Sequence, residues 1–534
     1  MKKSFSLQVL TFGAVMSLMS TWAADETFKW SYPHPRLTVV RLQDRTDAHN
    51  ELYFETEYLL ARNESTFTVS APALFLEDTT TGEGMAFFRV APLPDSRPVK
   101  KPDYRVEAGG QKLVILDSGY PVVKVPYTGG AVGRIRAATD FQRARRAYVA
   151  GRDGQFLTNT WGDGNRDACI NEAFLLREVA AGAALGVDVI QIDDGWQKGR
   201  SANSAKLKKG EKGSWSSFWH DPEFWLPDPE RFPRGLEPVV GAAKDKGMKF
   251  GLWYGPDSSD EAAHWEKDVD LLLGLHRRFG IDYFKLDSIR SESSLTLARQ
   301  QKLMDALLEG SKGRITVDLD VTAQIRPGYY GFPEVGPVFV ENRYIRKGDR
   351  RLWWPHFTLR NLWSLAHVVD PARLRMEVLN PDRLGELYPE GDQLAPANWP
   401  KDTLFASVMF ASPLGWFEIQ NLSPATVSAW KPLIETWKRH RDEVHEGYIY
   451  PVGAKPDGLA WTGFVSAAKN GHSGTVLLFR ELNDRSKFSL DISPYLSAGK
   501  VEVLAGRGTA TVNGDNLEVV IPARHDFLWV KLLK

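Results

Sequence analysis

A chain of 534 residues with one cysteine, Cys169, has no means of forming an intrachain disulfide. Its stability must come from a sizeable apolar core and not from crosslinks. Net charge is missing as well, because 67 Lys and Arg are matched by 67 Asp and Glu. That balance leaves no basic footprint for nucleic acid or for an anionic membrane surface. Beyond the first two dozen residues, no segment has the uncharged apolar length of a transmembrane helix. Internal repeats and low-complexity tracts are also lacking. No Gly-rich phosphate-binding turn follows an apolar run, which argues against a doubly wound nucleotide-binding sheet. No His cluster has metal-ligand spacing, and the reading calls for no metal and no cofactor.

The first residues have the layout of a secretory leader. Lys2 and Lys3 precede an apolar stretch from Leu7 to Met19 that is too short to span a bilayer. Thr21-Trp22-Ala23-Ala24 then supplies small residues for cleavage. Residues 1–24 are therefore expected to be a signal peptide, and the chain to be exported to the periplasm or the medium.

Three textures follow. Residues 25–140 alternate in short runs such as Ser65–Ser70, Ala86–Val90 and Lys112–Leu116, and predict an N-terminal β-sandwich. Residues 447–534 alternate again, at Gly474–Arg480, Lys500–Leu504 and Leu517–Ile521, and predict a second antiparallel sandwich. Between them, residues 141–446 hold apolar runs separated by segments of helical periodicity. The candidate strands are Phe156–Trp161, Val187–Asp193, Lys249–Trp253, Ile281–Asp287, Arg314–Asp320, Pro337–Glu341, Arg375–Leu379 and Leu404–Phe410. Helical periodicity runs through Asp167–Leu185, Leu236–Lys246, Glu261–Phe279 and Leu295–Gly310. Strands buried on both faces and joined by crossovers make a parallel sheet, and this number of them predicts a closed (β/α)8 TIM barrel.

In such a barrel, functional side chains collect where strands end. Those positions hold Trp161, Asp193, Asp194, Trp196, Trp253, Asp257, Asp287, Asp320, Glu341 and Arg343. Carboxylates and tryptophans from several strands thus share one mouth. Tryptophan, abundant here at 18 residues, fills cores and also offers a flat face to the apolar side of a sugar ring. Cleavage of a glycoside with retention needs two carboxyl groups about 5–5.5 Å apart, one attacking and one moving the proton. Asp287 and Glu341 can meet that spacing. Lys285, two residues before Asp287, projects to the same side and favours its ionised form.

The run Leu185-Gly-Val-Asp-Val-Ile-Gln-Ile-Asp-Asp-Gly-Trp196 resembles the second-strand motif of α-galactosidases in glycoside hydrolase families 36 and 27. Phe232–Leu236 with Gly247–Trp253 is similar to their third-strand motif, and Phe284-Lys-Leu-Asp287 to the Lys-x-Asp motif of their nucleophile. The resemblance covers roughly three quarters of the chain. It implies Asp287 as nucleophile, Lys285 as a ligand of sugar hydroxyls, and Asp193 with Asp194 on O4 and O6 of a terminal α-galactosyl unit. It places the acid/base after the sixth strand, at Glu341, with Asp349 as the alternative. α-N-Acetylgalactosaminidase and galactosyl transfer are close variants. A Schiff-base aldolase using Lys285 and a non-catalytic carbohydrate-binding protein are the alternatives of other classes.

Overall fold

The computed structural model describes residues 25–534 except 47, 63, 98, 323–325, 342–344 and 348–349, and leaves the side chains of 345–347 and 350–351 undescribed. The expected leader, Arg343 and Asp349 lie outside the described residues.

The middle of the chain is a closed barrel of eight parallel strands in sequence order. They are Leu157–Asn159, Val189–Ile192, Lys249–Tyr254, Tyr283–Leu286, Thr316–Asp320, Val338–Val340, Leu374–Leu379 and Ser412–Trp416. Nearly every strand residue is buried, because one face meets the barrel interior and the other meets the helices. The helices start and stop where local chemistry dictates. Asn171 and Ser293 accept backbone N–H bonds at the starts of Glu172–Leu185 and Ser294–Ser311. Gly186, in the left-handed region at φ 94°, ends the first of these and turns the chain into the second strand.

Seven of the eight strands fall where the apolar runs predict them. The eighth does not. Within the expected strand Leu404–Phe410, residues 404–406 close a short helix, Lys401–Ala406, and the remainder forms turns. The strand itself is Ser412–Trp416. The Leu404–Phe410 segment is buried throughout, and a segment apolar on every side has no period to separate helix from strand. The true strand contains Pro413 and Gly415, which weigh against a strand by propensity.

Before the barrel, a four-stranded sheet and a five-stranded sheet, both antiparallel, form the N-terminal sandwich. A five-stranded and a three-stranded antiparallel sheet follow the barrel. The N-terminal sandwich seats on the barrel through stacked rings: Phe88 lies on Phe141 of the helix Gly130–Arg143 with centroids 4.5 Å apart. Its loop at residues 43–46 reaches the barrel mouth. Arg45 N–H donates to the carbonyl of Val321 at 2.8 Å, and Thr46 Oγ1 accepts from the backbone N–H of Glu341 at 3.3 Å. No helix among the described residues is long and apolar enough to cross a membrane.

Candidate active site

The barrel interior is unusually polar. Midway up, Arg375 of the seventh strand donates from Nε and Nη2 to Asp318 of the fifth, at 3.2 and 3.1 Å, and to the carbonyl of Gln155 at 2.7 Å. Asn159 donates to both Gln191, at 2.7 Å, and Asp193, at 2.8 Å. Buried charges of this kind persist only when paired and hydrogen-bonded, so the strands are committed to carrying a polar column to the mouth.

Lys285 stands at the head of that column. Its Nζ lies 3.1 Å from Asp193, 3.5 Å from Asp320 and 3.7 Å from Glu341. The rings of Phe339 and Trp416 flank the ammonium, with centroids 4.3 and 4.8 Å away. Burial works against the charge, but Asp193, Asp320 and Asp287 outweigh it and raise Lys285 above the usual lysine range. A lysine held protonated among carboxylates is a poor Schiff-base amine, which counts against the aldolase chemistry.

Asp287 follows the fourth strand, and its backbone N–H still pairs with the carbonyl of Tyr254 at 3.0 Å. Its two carboxylate oxygens are held differently. Oδ1 accepts from Arg326 Nη2 at 2.6 Å and from the N–H of Ser288 at 2.5 Å. Oδ2 accepts from the indole N–H of Trp253 at 3.2 Å. Burial would push this carboxyl up, yet Arg326 and then Lys285 hold it below the ordinary aspartate value. Asp320, the last residue of the neighbouring fifth strand, moves the other way, raised by burial and by the charge of Asp287. Two neighbouring carboxyls driven apart in this manner are the electrostatic pattern of an acid–base or nucleophile site.

Of the residues singled out in the sequence, Asp193, Lys285, Asp287, Glu341 and Trp253 come together. Trp161 lies two residues beyond the first strand and is largely buried; its N–H donates to Asn159 Oδ1 at 3.0 Å. Asp194 turns away from Lys285 into the loop behind the second strand, where Gln197, at 2.5 Å, and Ser201 donate to it. Burial raises its carboxyl to about 7. Asp257 accepts from the N–H of Ser217, and from the N–H and hydroxyl of Ser259, at 2.9, 2.9 and 2.6 Å. It knits loops together. Trp196 corrects the expectation of a sugar platform: it is 0% exposed, stacks on Trp225 and donates to the carbonyl of Trp253 at 2.8 Å. With every face packed, it supports Trp253 from behind. Asp320 was legible as a strand end but had no role assigned to it. Arg326 gave no signal, since it lies on the loop between the fifth and sixth strands, outside any motif. Among the described residues, no group of three or more His, Cys, Asp or Glu is arranged to hold a metal ion.

No protein-family model matches the chain. An α-galactosidase of Escherichia coli is 36% identical over 87 residues, which is 16% of this chain and 10% of that protein. The α-galactosidase mel1 of Schizosaccharomyces pombe is 23% identical over 281 residues, covering 49% of this chain and 53% of that one. The chain thus spans about half or less of the length of these curated relatives. Among solved structures, the family GH36 α-galactosidase AgaA of Geobacillus stearothermophilus superposes over 96% of this chain and 76% of its own, at 15% identity and a TM-score of 0.66. A variant of AgaA in complex with raffinose gives a TM-score of 0.67 at 14% identity, covering 95% of this chain and 76% of its own. The fold, barrel and both flanking sheet domains together, is that of the family 36 α-galactosidases.

Proposed function

We propose that this protein is a retaining, exo-acting α-galactosidase that removes terminal α-linked galactose from oligo- or polysaccharides. The observation that carries the reading is Asp287: a carboxylate at the end of the fourth strand, kept ionised by Arg326 and Lys285 and aimed by Trp253. Sequence relatives named α-galactosidase, and the shared fold with an enzyme solved in complex with raffinose, support the substrate class.

In this reading, Asp287 attacks the anomeric carbon while the carboxyl of Glu341 gives its proton to the departing glycosidic oxygen. The bond to the aglycone breaks as the ester to Asp287 forms. Glu341 then takes a proton from water, which attacks the same carbon and frees Asp287. Lys285 and Asp193 would bind the galactosyl hydroxyls, Trp161 would lie beside the ring and Arg343 is a further candidate sugar ligand, with Asp349 as the alternative acid/base. Asp194 and Asp257 shape the loops around the sugar. Lys2, Lys3 and the apolar stretch after them support export of the enzyme.

Azide separates the two carboxyl roles by stereochemistry. With an aryl α-galactoside, Asp287→Gly should lose activity and regain it with azide, giving β-galactosyl azide, because azide enters from the nucleophile's face. Glu341→Ala should still form the glycosyl-enzyme when the leaving group is good, and azide should then yield the α-anomer. An Asp287→Gly variant that hydrolyses the substrate at the wild-type rate would overturn the assignment. Aryl α-N-acetylgalactosaminide in the same assay tests the nearest variant substrate.

A further inference from the structure

Arg326 lies outside every motif that pointed to the site, yet it makes the shortest side-chain bond to the proposed nucleophile. Its Nη2 lies 2.6 Å from Asp287 Oδ1 and 3.9 Å from Asp320 Oδ1, so one nitrogen faces two carboxylates on adjacent strands. Its Nη1 donates to the carbonyl of Ile289 at 3.2 Å, which fixes the guanidinium plane against the loop that follows Asp287. The side chain is buried, as is Asp320, whereas Asp287 is 16% exposed and open to the mouth.

We propose that Arg326 is the positioning residue of the nucleophile: it clamps Asp287 Oδ1, leaves Oδ2 as the attacking oxygen, and is shared with Asp320, which tunes the clamp. This inference rests on Asp287 being the nucleophile. Oδ1 already accepts two short bonds, from Arg326 and from Ser288 N–H. Oδ2 accepts one longer bond from Trp253. An oxygen with both acceptor directions occupied must break a charge-assisted bond before it can attack, whereas the one held only by an indole N–H need not. When the ester forms through Oδ2, Oδ1 becomes the carbonyl oxygen, and Arg326 remains on it through both steps. Asp320 has a counterbalancing effect. Its Oδ1 accepts from the N–H and hydroxyl of Thr322, at 2.8 and 2.6 Å, so the carboxylate is fixed where it competes for the same nitrogen.

Among the described residues, the charged groups that bear on Asp287 are few. Lys285 is on its own strand, Asp320 on the fifth, and Arg326 on the loop after it; Asp193 and Glu341 act through Lys285. Substituting the arginine and the aspartate should therefore move the same ionisation in opposite directions.

The experiment is the pH profile of kcat/KM on an aryl α-galactoside for three variants. Arg326→Gln removes the positive charge, and its acidic limb should move up by about 1–2 pH units, with turnover down roughly 100-fold and KM little changed. Arg326→Lys should bring the limb most of the way back without restoring turnover, since a point charge does not reproduce the fork. Asp320→Asn keeps the Thr322 bonds and removes a like charge, so its limb should move down. A 5-fluoro-α-galactosyl fluoride label, located by peptide mass, identifies the nucleophile independently in the wild-type enzyme. Label on Asp287 with limbs that move in opposite directions supports the clamp. Label on Asp287 with limbs that stay at the wild-type position, or move together, overturns the clamp and leaves the catalytic reading intact. Label on another carboxyl overturns both. If Arg326→Gln fails to fold, Arg326→Lys decides: a limb near wild type with turnover well below it supports the clamp, and wild-type turnover overturns it.

Discussion

Replacing Lys285 with methionine isolates the central electrostatic claim about the barrel. The thioether fits the apolar slot between Phe339 and Trp416, so packing changes little. What is lost is the cation that Asp193, Asp320 and Glu341 approach to within 3.1–3.7 Å. Removing one partner from a buried ion cluster costs about 3–5 kcal/mol. Without the cation, burial pushes the carboxyls left behind upward. The sign of the pH dependence follows. A carboxyl whose folded-state pKa is raised binds more protons folded than unfolded, so the variant recovers stability as the pH falls. The deficit of about 4 kcal/mol at pH 7.5 therefore shrinks as the pH falls towards 5. Lys285 does not titrate in this window, because its own pKa is raised above an already basic value. Urea melts followed by tryptophan fluorescence supply the assay. With an m value of about 3 kcal/mol/M, the midpoint gap to wild type should be about 1.3 M at pH 7.5 and clearly smaller at pH 5. A gap that is absent at pH 7.5, or equal at both pH values, refutes the reasoning.

Three further outcomes follow from single contacts. Glu481 accepts the backbone N–H groups of Asp457, Gly458 and Ala460 at 3.2, 2.9 and 2.9 Å, so Glu481→Ala should lower stability by about 2–3 kcal/mol. Burial raises Glu481 to about 7, above its unfolded value, so its contribution grows as pH falls through 7 towards 4.5; thermal melts of Glu481→Gln should lose that slope, and an unchanged slope counts against it. A Cβ on Gly162 would sit 1.7 Å from the carbonyl oxygen of Trp416, so Gly162→Ala should cost about 1–3 kcal/mol and displace the ring beside Lys285; a wild-type melting temperature with wild-type turnover would contradict this. Because Asp194 is engaged by Gln197 and Ser201, Asp194→Asn should keep KM near wild type while Asp194→Ala raises it; a KM that rises equally in both places Asp194 on the sugar instead.

The sequence was most legible where one physical signal acted alone. Seven barrel strands are short apolar runs, several of them separated by segments of helical periodicity, and each was found. The eighth failed because Leu404–Phe410 is buried on all sides and Pro413 and Gly415 disguise the true strand. Strand ends pointed to Asp193, Lys285, Asp287 and Glu341 because barrel geometry sends those positions to one mouth. They could not tell Asp193 from Asp194, whose side chains part company in the loop behind the second strand. Trp196 was misread for a related reason: a tryptophan in a motif looks the same whether its ring faces sugar or, as here, Trp225. Arg326 was invisible, since nothing local marks a loop arginine whose partner is 39 residues earlier.

The N-terminal loop that holds Thr46 against Glu341 spans 295 residues of sequence, and Leu52 reaches Asn361 across 309. At the pace of synthesis, about 5–20 residues per second, those partners emerge roughly 15–60 s after the loop itself. The N-terminal sandwich must therefore wait undocked until the sixth strand arrives to meet it. The mouth is finished late in biosynthesis, because the loop at residues 43–46 can close against Glu341 only once the sixth strand has been made.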